Sequence, residues 1–261
     1  MIWWKDYELP MGEWARWQIG PLDLFARATR AEWVFAWQST ADPLDDTLEI
    51  QIPSATEPDP AELTFHRYVR RFEKAALKLL PRLADRAFVV RPELPLFLPA
   101  GEDAVLYVST PIWVAGFLAE DSRKGFFEYP SFRASDTWFG RDTCEGELCY
   151  ASRTHARTDL GAINKRPHRA VTPIHISNQG TDALPIEKLR VPLRALSLYH
   201  DDDGRLWTDT VSLLRKEGGV SAAMTVSEPG GHRTVGQTLL AEPRSPVESG
   251  TIIAAFSRFL D

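Results

Sequence analysis

Residues 87–114 read AFVVRPELPLFLPAGEDAVLYVSTPIWV, short apolar runs broken by Pro92, Pro95, Pro99, Gly101 and Pro111. Proline has no amide hydrogen to give to a ladder and is confined to strand edges, strand starts and turns. The stretch therefore reads as successive short β-strands. The chain's longest uncharged stretch, Ala104 to Ala119, falls short of the ~20 residues that a spanning helix needs, and Pro111 and Gly116 interrupt it. Two buried strands account for it better than a membrane span.

Upstream, the chain keeps the two-residue period of strands: Ala15, Trp17 and Ile19, then Leu22, Leu24 and Ala26, then Trp33, Phe35 and Trp37, with Gly20-Pro21 and Thr29 to Ala31 as turns. Trp3, Trp4, Trp14, Trp17, Trp33 and Trp37 all fall in this meander. They form either the aromatic core of a sheet or a stacking platform for sugars or bases, and tryptophan's average burial favours the core. Residues 59–80 admit two readings. Asp59-Pro60-Ala61-Glu62 resembles a helix cap, and Phe65, Tyr68, Phe72, Ala76 and Leu79 follow helical spacing. Leu63, Phe65, Val69, Leu77 and Leu79 alternate with charged neighbours as a strand would. Periodicity alone favours the helix.

Downstream, residues 147–157, 170–177, 184–199, 205–214 and 220–227 read as strands separated by Asn178-Gln179-Gly180, Asp201 to Gly204 and Glu217-Gly218-Gly219. The expected fold is mainly β, antiparallel β-sandwich units with a short C-terminal amphipathic helix. Ser245-Pro246-Val247-Glu248 resembles a capping box, and Ile252, Phe256, Phe259 and Leu260 share one helical face behind it. The charged run Asp121 to Gly125 and Ser135-Asp136 suggest a division into residues 1–135, a tryptophan-rich β domain, 136–244, a second β-sandwich domain, and 245–261, the helix.

Hydrophobic residues make up 44% and charged residues 25% of the 261, an ordinary globular balance that excludes a disordered chain, a collagen-like repeat and a membrane bundle. A net charge of −6 repels nucleic acid and anionic lipid, so no nucleic-acid partner is expected and any anion site must be local. Cys144 and Cys149 lack the spacing of a metal or redox pair, and Lys5, Asp6 and Glu8 stand where an export signal needs apolar residues. A cytoplasmic location with reduced thiols is the expectation.

No catalytic motif nominates itself: there is no phosphate-cradling glycine loop, nucleophile elbow or zinc signature. Asp201-Asp202-Asp203 lacks the alternating ligands of a calcium loop and reads as an acidic turn. The local anomaly is charge. Between Arg153 and His175 stand Arg153, Arg157, Lys165, Arg166 and Arg169 against only Asp159, with His155, His168 and His175 beside them. Arg153, His155 and Arg157 share one face of a strand, and guanidinium forks match carboxylate and phosphate geometry. Arg153, His155, Arg157, Arg166 and Arg169 are therefore the candidate anion or partner site. The competing reading places these cations in an internal interface. No catalytic residue, metal or cofactor is nominated.

Several phrases in order, LADRAFVVRPELPLFLPAGEDAVLYVSTPIWV, GELCYASRT, PIHISNQG, LPIEKLRVP, LSLYHDDDGRLWTD and AFSRF, resemble the domain of unknown function 432 family of archaea and bacteria. The resemblance covers the chain from about residue 83 to its end and, more loosely, the tryptophan-rich start. It implies a β-rich architecture, strands over residues 63–83, and an accessory role beside a small-conductance mechanosensitive channel. It brings no catalytic residues.

The leading expectation is a non-enzymatic protein-binding or accessory protein. Its partner would be that channel's cytoplasmic domain or a second copy of the chain, met by Ile252, Phe256, Phe259 and Leu260. Two alternatives stand beside it. One is a small-molecule- or metal-dependent enzyme built near Arg153, His155 and Arg157 with a histidine from a neighbouring strand. The other is a carbohydrate-binding module using the N-terminal tryptophans.

Overall fold

A computed structural model describes residues 2–69, 75–118, 121–140, 146–154, 157–217, 222–226 and 236–245. The described residues are mainly β-strand, and their only helical pieces are the 3-10 turns Leu160–Ala162 and Leu193–Ala195. No helix among them is long and apolar enough to cross a membrane. The chain forms two units, each assembled from separated stretches. One takes the residues up to Arg82, Pro111–Arg133 and Arg166–His168; the other takes Leu83–Thr110, Ala134–Lys165 and the described residues from Arg169 onward.

The first unit contains a five-stranded antiparallel sheet in the order Leu48–Gln51, Trp14–Ile19, Leu22–Ala28, Glu32–Ser39, Thr64–Val69. Ala15 pairs with Ala26, Ala26 with Phe35 and Phe35 with His66, so alternate residues of four strands share a face. Trp17, Leu24, Trp33 and Phe35 on that face are fully buried. The second sheet of this unit, also antiparallel, orders Asp6–Glu8, Ala76–Arg82, Trp113–Leu118, Asp121–Pro130.

Aromatic rings join the two sheets face to face. Phe35 lies edge-on to Phe127 at 4.7 Å, Trp37 stacks on Tyr129 at 4.6 Å, and Tyr129 stacks on Phe127 at 4.4 Å. Gly116 pairs with Phe127 and Phe117 with Gly125, which leaves Phe126 as a bulge. The extra residue lets Phe126 and Phe127 both reach Phe35. Gly116 has no side chain because the Phe127 ring occupies the space, 2.3 Å from where a Cβ would stand.

The second unit mixes strand directions. Its largest sheet orders Ala222–Val226, Val211–Arg215, Arg169–Asn178, Leu206–Thr208, Leu198–His200, Thr238–Ala241, with Asp103–Pro111 also joined to Arg169–Asn178. Arg169–Asn178 runs parallel to both Leu206–Thr208 and Val211–Arg215. A four-stranded sheet orders Asp136–Gly140, Gly146–Thr154, Phe88–Pro92, Leu189–Val191, its central pair parallel and its outer pairs antiparallel. Leu96–Leu98 pairs with Leu184–Ile186.

Two expectations change. The helix read from periodicity over residues 59–80 is replaced by the strands Thr64–Val69 and Ala76–Arg82, as the family resemblance implied. Asp59 makes a single turn, its carboxylate accepting from the Ala61 amide at 2.8 Å. The strand expected over 184–199 is three short ones, interrupted at Glu187-Lys188 and by the turn Leu193–Ala195. The C-terminal helix expected over 245–261 falls, apart from Ser245, outside the described residues. The acidic triplet is the expected turn: the Asp201 carboxylate accepts from the Arg205 amide and the Trp207 indole, and Gly204 takes a φ of +73°.

Candidate anion and partner site

The site grows from the central parallel pair of the four-stranded sheet. Phe88, Val89 and Val90 are β-branched or aromatic and buried on both faces, which is why this strand is a continuous apolar run. Its pairing with Gly146–Thr154 sets Val89 beside Ala151, Val90 beside Ser152, and then Arg91 beside Arg153. Both arginines are exposed. Neighbouring strands lie about 4.8 Å apart, and like charges directly opposite are unfavourable. Among the described residues no carboxylate stands within ion-pair distance of either guanidinium.

Lys188 enters the same neighbourhood just before Leu189–Val191, its ammonium 5.5 Å from the Phe139 ring centroid. Burial and then the charge of Arg91 hold this amine below its ordinary range, against the pull of Glu187. Further along the face, Arg190 forms an ion pair with Glu147. Burial alone would raise the Glu147 carboxyl, yet hydrogen bonding and charge from Arg190, the Cys149 thiol and Arg194 outweigh it and leave the group below its usual value. Glu147 is thus already engaged with Arg190.

Cys149 lies beside Ala87, Val89 and Phe139 in a buried cluster. Burial, followed by the Glu147 charge, pushes its thiol up to about 12. A thiol so rarely ionised is no nucleophile at neutral pH. It is a free, buried cysteine; Cys144 lies outside the described residues.

Four of the five sequence-nominated cations, Arg153, Arg157, Arg166 and Arg169, are described, and each has its own surroundings. Arg153 faces Arg91. Arg157 is exposed and joins the Asp103–Pro111 strand only through its backbone, the Tyr107 amide donating to its carbonyl at 2.8 Å. Arg169 donates to the Ser109 hydroxyl at 3.0 Å and to the Ser109 carbonyl on that same strand, so its fork is engaged structurally. Arg166 belongs to the first unit, where it donates to the Leu44 carbonyl at 3.1 Å. His155 lies outside the described residues, as do Ile252, Phe256, Phe259 and Leu260. His168 is buried in the first unit with Nε2 3.1 Å from the Pro43 carbonyl, and His175 is exposed on the second.

Arg91 is the residue that the linear reading missed. Its only local signal is being the first charge after a continuous apolar run; its partner sits 62 positions away across a parallel pairing. The tryptophan platform is overturned: Trp3, Trp4, Trp14, Trp17 and Trp33 are buried, and Trp37 is stacked on Tyr129 inside the first unit. No group of His, Cys, Asp and Glu among the described residues is arranged to hold a metal ion.

A family model described as a protein of unknown function (DUF432) matches residues 3–261, nearly the whole chain. The chain belongs to the DUF432 family. No curated protein and no solved structure matches it. DUF432 membership assigns no site residue, so the case for Arg91 and Arg153 stands on the geometry of this DUF432 chain alone.

Proposed function

We propose that this DUF432 protein is a non-enzymatic, β-rich accessory protein that recognises another protein through the surface centred on Arg91 and Arg153. The observation that supports the reading is their cross-strand pairing, two exposed guanidiniums in register. A fold gains nothing from that arrangement by itself, whereas an incoming carboxylate gains two forks suited to bidentate hydrogen bonding. Arginine is also among the residues enriched where binding energy concentrates.

A cytoplasmic setting belongs to this reading, and the partner implied by the family resemblance is the cytoplasmic domain of a small-conductance mechanosensitive channel. The test is recovery of partners from the native host by the tagged full chain, identified by mass spectrometry. Wild type is compared with an Arg91→Glu, Arg153→Glu double variant and with Lys216→Glu, a change at another exposed cation. A partner kept by wild type and Lys216→Glu but lost by the double variant supports the reading. Equal recovery by all three overturns it. Self-association would instead appear as a doubled mass in light scattering, lost in the same variant.

A further inference from the structure

The chain leaving Arg91 continues Pro92-Glu93-Leu94-Pro95-Leu96-Phe97-Leu98, and two of these side chains stand out in solvent. Leu94 is 77% exposed and Phe97 66%. The exposure of Phe97 does not come from a loose segment. Leu96–Leu98 is paired with Leu184–Ile186, and Leu98 is buried, so the alternation of the strand turns Phe97 outward. The buried Asn178 amide donates to the carbonyls of Leu98 at 3.0 Å and Pro99 at 2.9 Å. Pro92 and Pro95 each fix one backbone angle. An extended residue covers at most ~3.6 Å, which puts Leu94 within about 11 Å of Arg91 and Phe97 within about 22 Å. Two exposed apolar side chains, one in a paired strand and one between two prolines, therefore lie within a short peptide's length of an arginine pair.

We infer that the ligand of this surface is an acidic, apolar peptide segment of a partner protein, its carboxylates on Arg91 and Arg153 and its apolar side chains on Leu94 and Phe97. The inference rests on the binding role proposed above and adds the chemistry of what is bound. Charge complementarity selects the occupant. Arg91 and Arg153 would attract a carboxylate-bearing segment, while the −6 charge of the whole chain gives it no general affinity for anions. The apolar pair selects against a small anion, which would leave Leu94 and Phe97 uncovered. A rigid, pre-arranged presentation lowers the ordering cost of binding.

The test is fluorescence anisotropy of the full chain with a labelled peptide in which glutamates alternate with leucine and phenylalanine. Three comparisons accompany it: the same peptide with glutamine for glutamate, the same peptide with serine for leucine and phenylalanine, and inorganic phosphate as competitor. The expected result is binding by wild type, weakened at least tenfold by Arg91→Gln with Arg153→Gln, by Leu94→Ser with Phe97→Ser, and by either change in the peptide, with little competition from phosphate. The peptide changes need no protein variant, so a folding defect cannot imitate the outcome. No binding by wild type, full displacement by phosphate, or indifference to the apolar changes overturns the inference. If the native partner is lost by the arginine variant but kept by Leu94→Ser with Phe97→Ser, the binding role stands and this inference alone fails. If both variants keep it, both fall.

Discussion

Two sheets of this protein carry arginines on an exposed or half-exposed face, and they provision them differently. On the outer face of the five-stranded sheet, Arg16 meets both oxygens of Asp23, at 2.7 and 3.0 Å, and lies over Phe25 at 5.5 Å. On the same sheet Arg27 stacks over Trp14 at 4.6 Å, and Arg67 donates twice to Glu32. Each guanidinium there has a ring or a carboxylate. On the four-stranded sheet the strand acid on the face of Arg91 and Arg153, Glu147, is engaged by Arg190, and Arg91 and Arg153 face one another. The sequence satisfies arginines locally where they are part of the fold, and the contrast is what makes the second pair a candidate for something outside the fold.

The contrast breaks first if the five-stranded sheet loses its footing. Trp33 is fully buried, stacks on Phe35 at 5.6 Å and meets Phe126 at 5.5 Å. Trp33→Ala is expected to destabilise by about 3–5 kcal/mol, read as a fall in the denaturant midpoint. A loss below about 1 kcal/mol would mean that the inner face does not pin the sheet.

Much of this sheet was legible because its inner face is buried and its hairpins are short, so Ala15, Trp17 and Ile19 alternate cleanly. The segment after it was not. Phe65 packs on the outer cluster with Trp14, while Tyr68 packs inward against Phe35. A strand with apolar partners on both faces loses its two-residue period and imitates helical spacing. The four-stranded sheet hid for a different reason. Its central pairing joins Phe88–Pro92 to Gly146–Thr154 in parallel, across a separation that no local pattern reports. The basic run was visible from 153 to 169, yet adjacency in sequence put Arg166 and Arg169 in the set and left Arg91 out.

The next effect sharpens the provisioned side. Asp23 is buried and Arg16 largely so, with side-chain exposures of 12% and 22%. The hydrogen bonds of Asp23, opposed by burial and helped by the charges of Asp23 and Glu49, raise the Arg16 value above its usual range. Asp23→Ala is expected to cost about 1–3 kcal/mol, since it leaves a half-buried cation without its partner. Thermal unfolding at neutral pH measures it, and an unchanged midpoint would erase the difference between the two sheets.

A smaller effect tests whether Glu147 is committed to Arg190. Its carboxyl lies below the ordinary 4.5 in the fold. A depressed carboxyl contributes stability that is complete above its unfolded value and is lost as the pH falls through the folded one. The stability gap between wild type and Glu147→Gln should therefore be constant at neutral pH, within about 1 kcal/mol for a pair whose carboxylate is partly exposed, and close as the pH drops below 4.5. A gap that persists unchanged into acid would show that Glu147 does not act through its charge.

The smallest effect on stability carries the most weight for function. Arg91→Ala with Arg153→Ala removes two exposed side chains for which no carboxylate among the described residues lies within ion-pair distance. Exposed changes of this kind usually stay within about 0.5 kcal/mol, and here the removed interaction is a repulsion between residues in register. The double variant is expected to melt at the wild-type temperature or slightly above it. Salt gives the sign independently. Screening over a Debye length of about 8 Å relieves repulsion between close surface charges, so raising ionic strength should stabilise wild type slightly more than the variant. A loss of 2 kcal/mol or more, or a salt response of the opposite sign, would place the two arginines in an internal interface and return them to the class that Arg16 and Arg67 occupy.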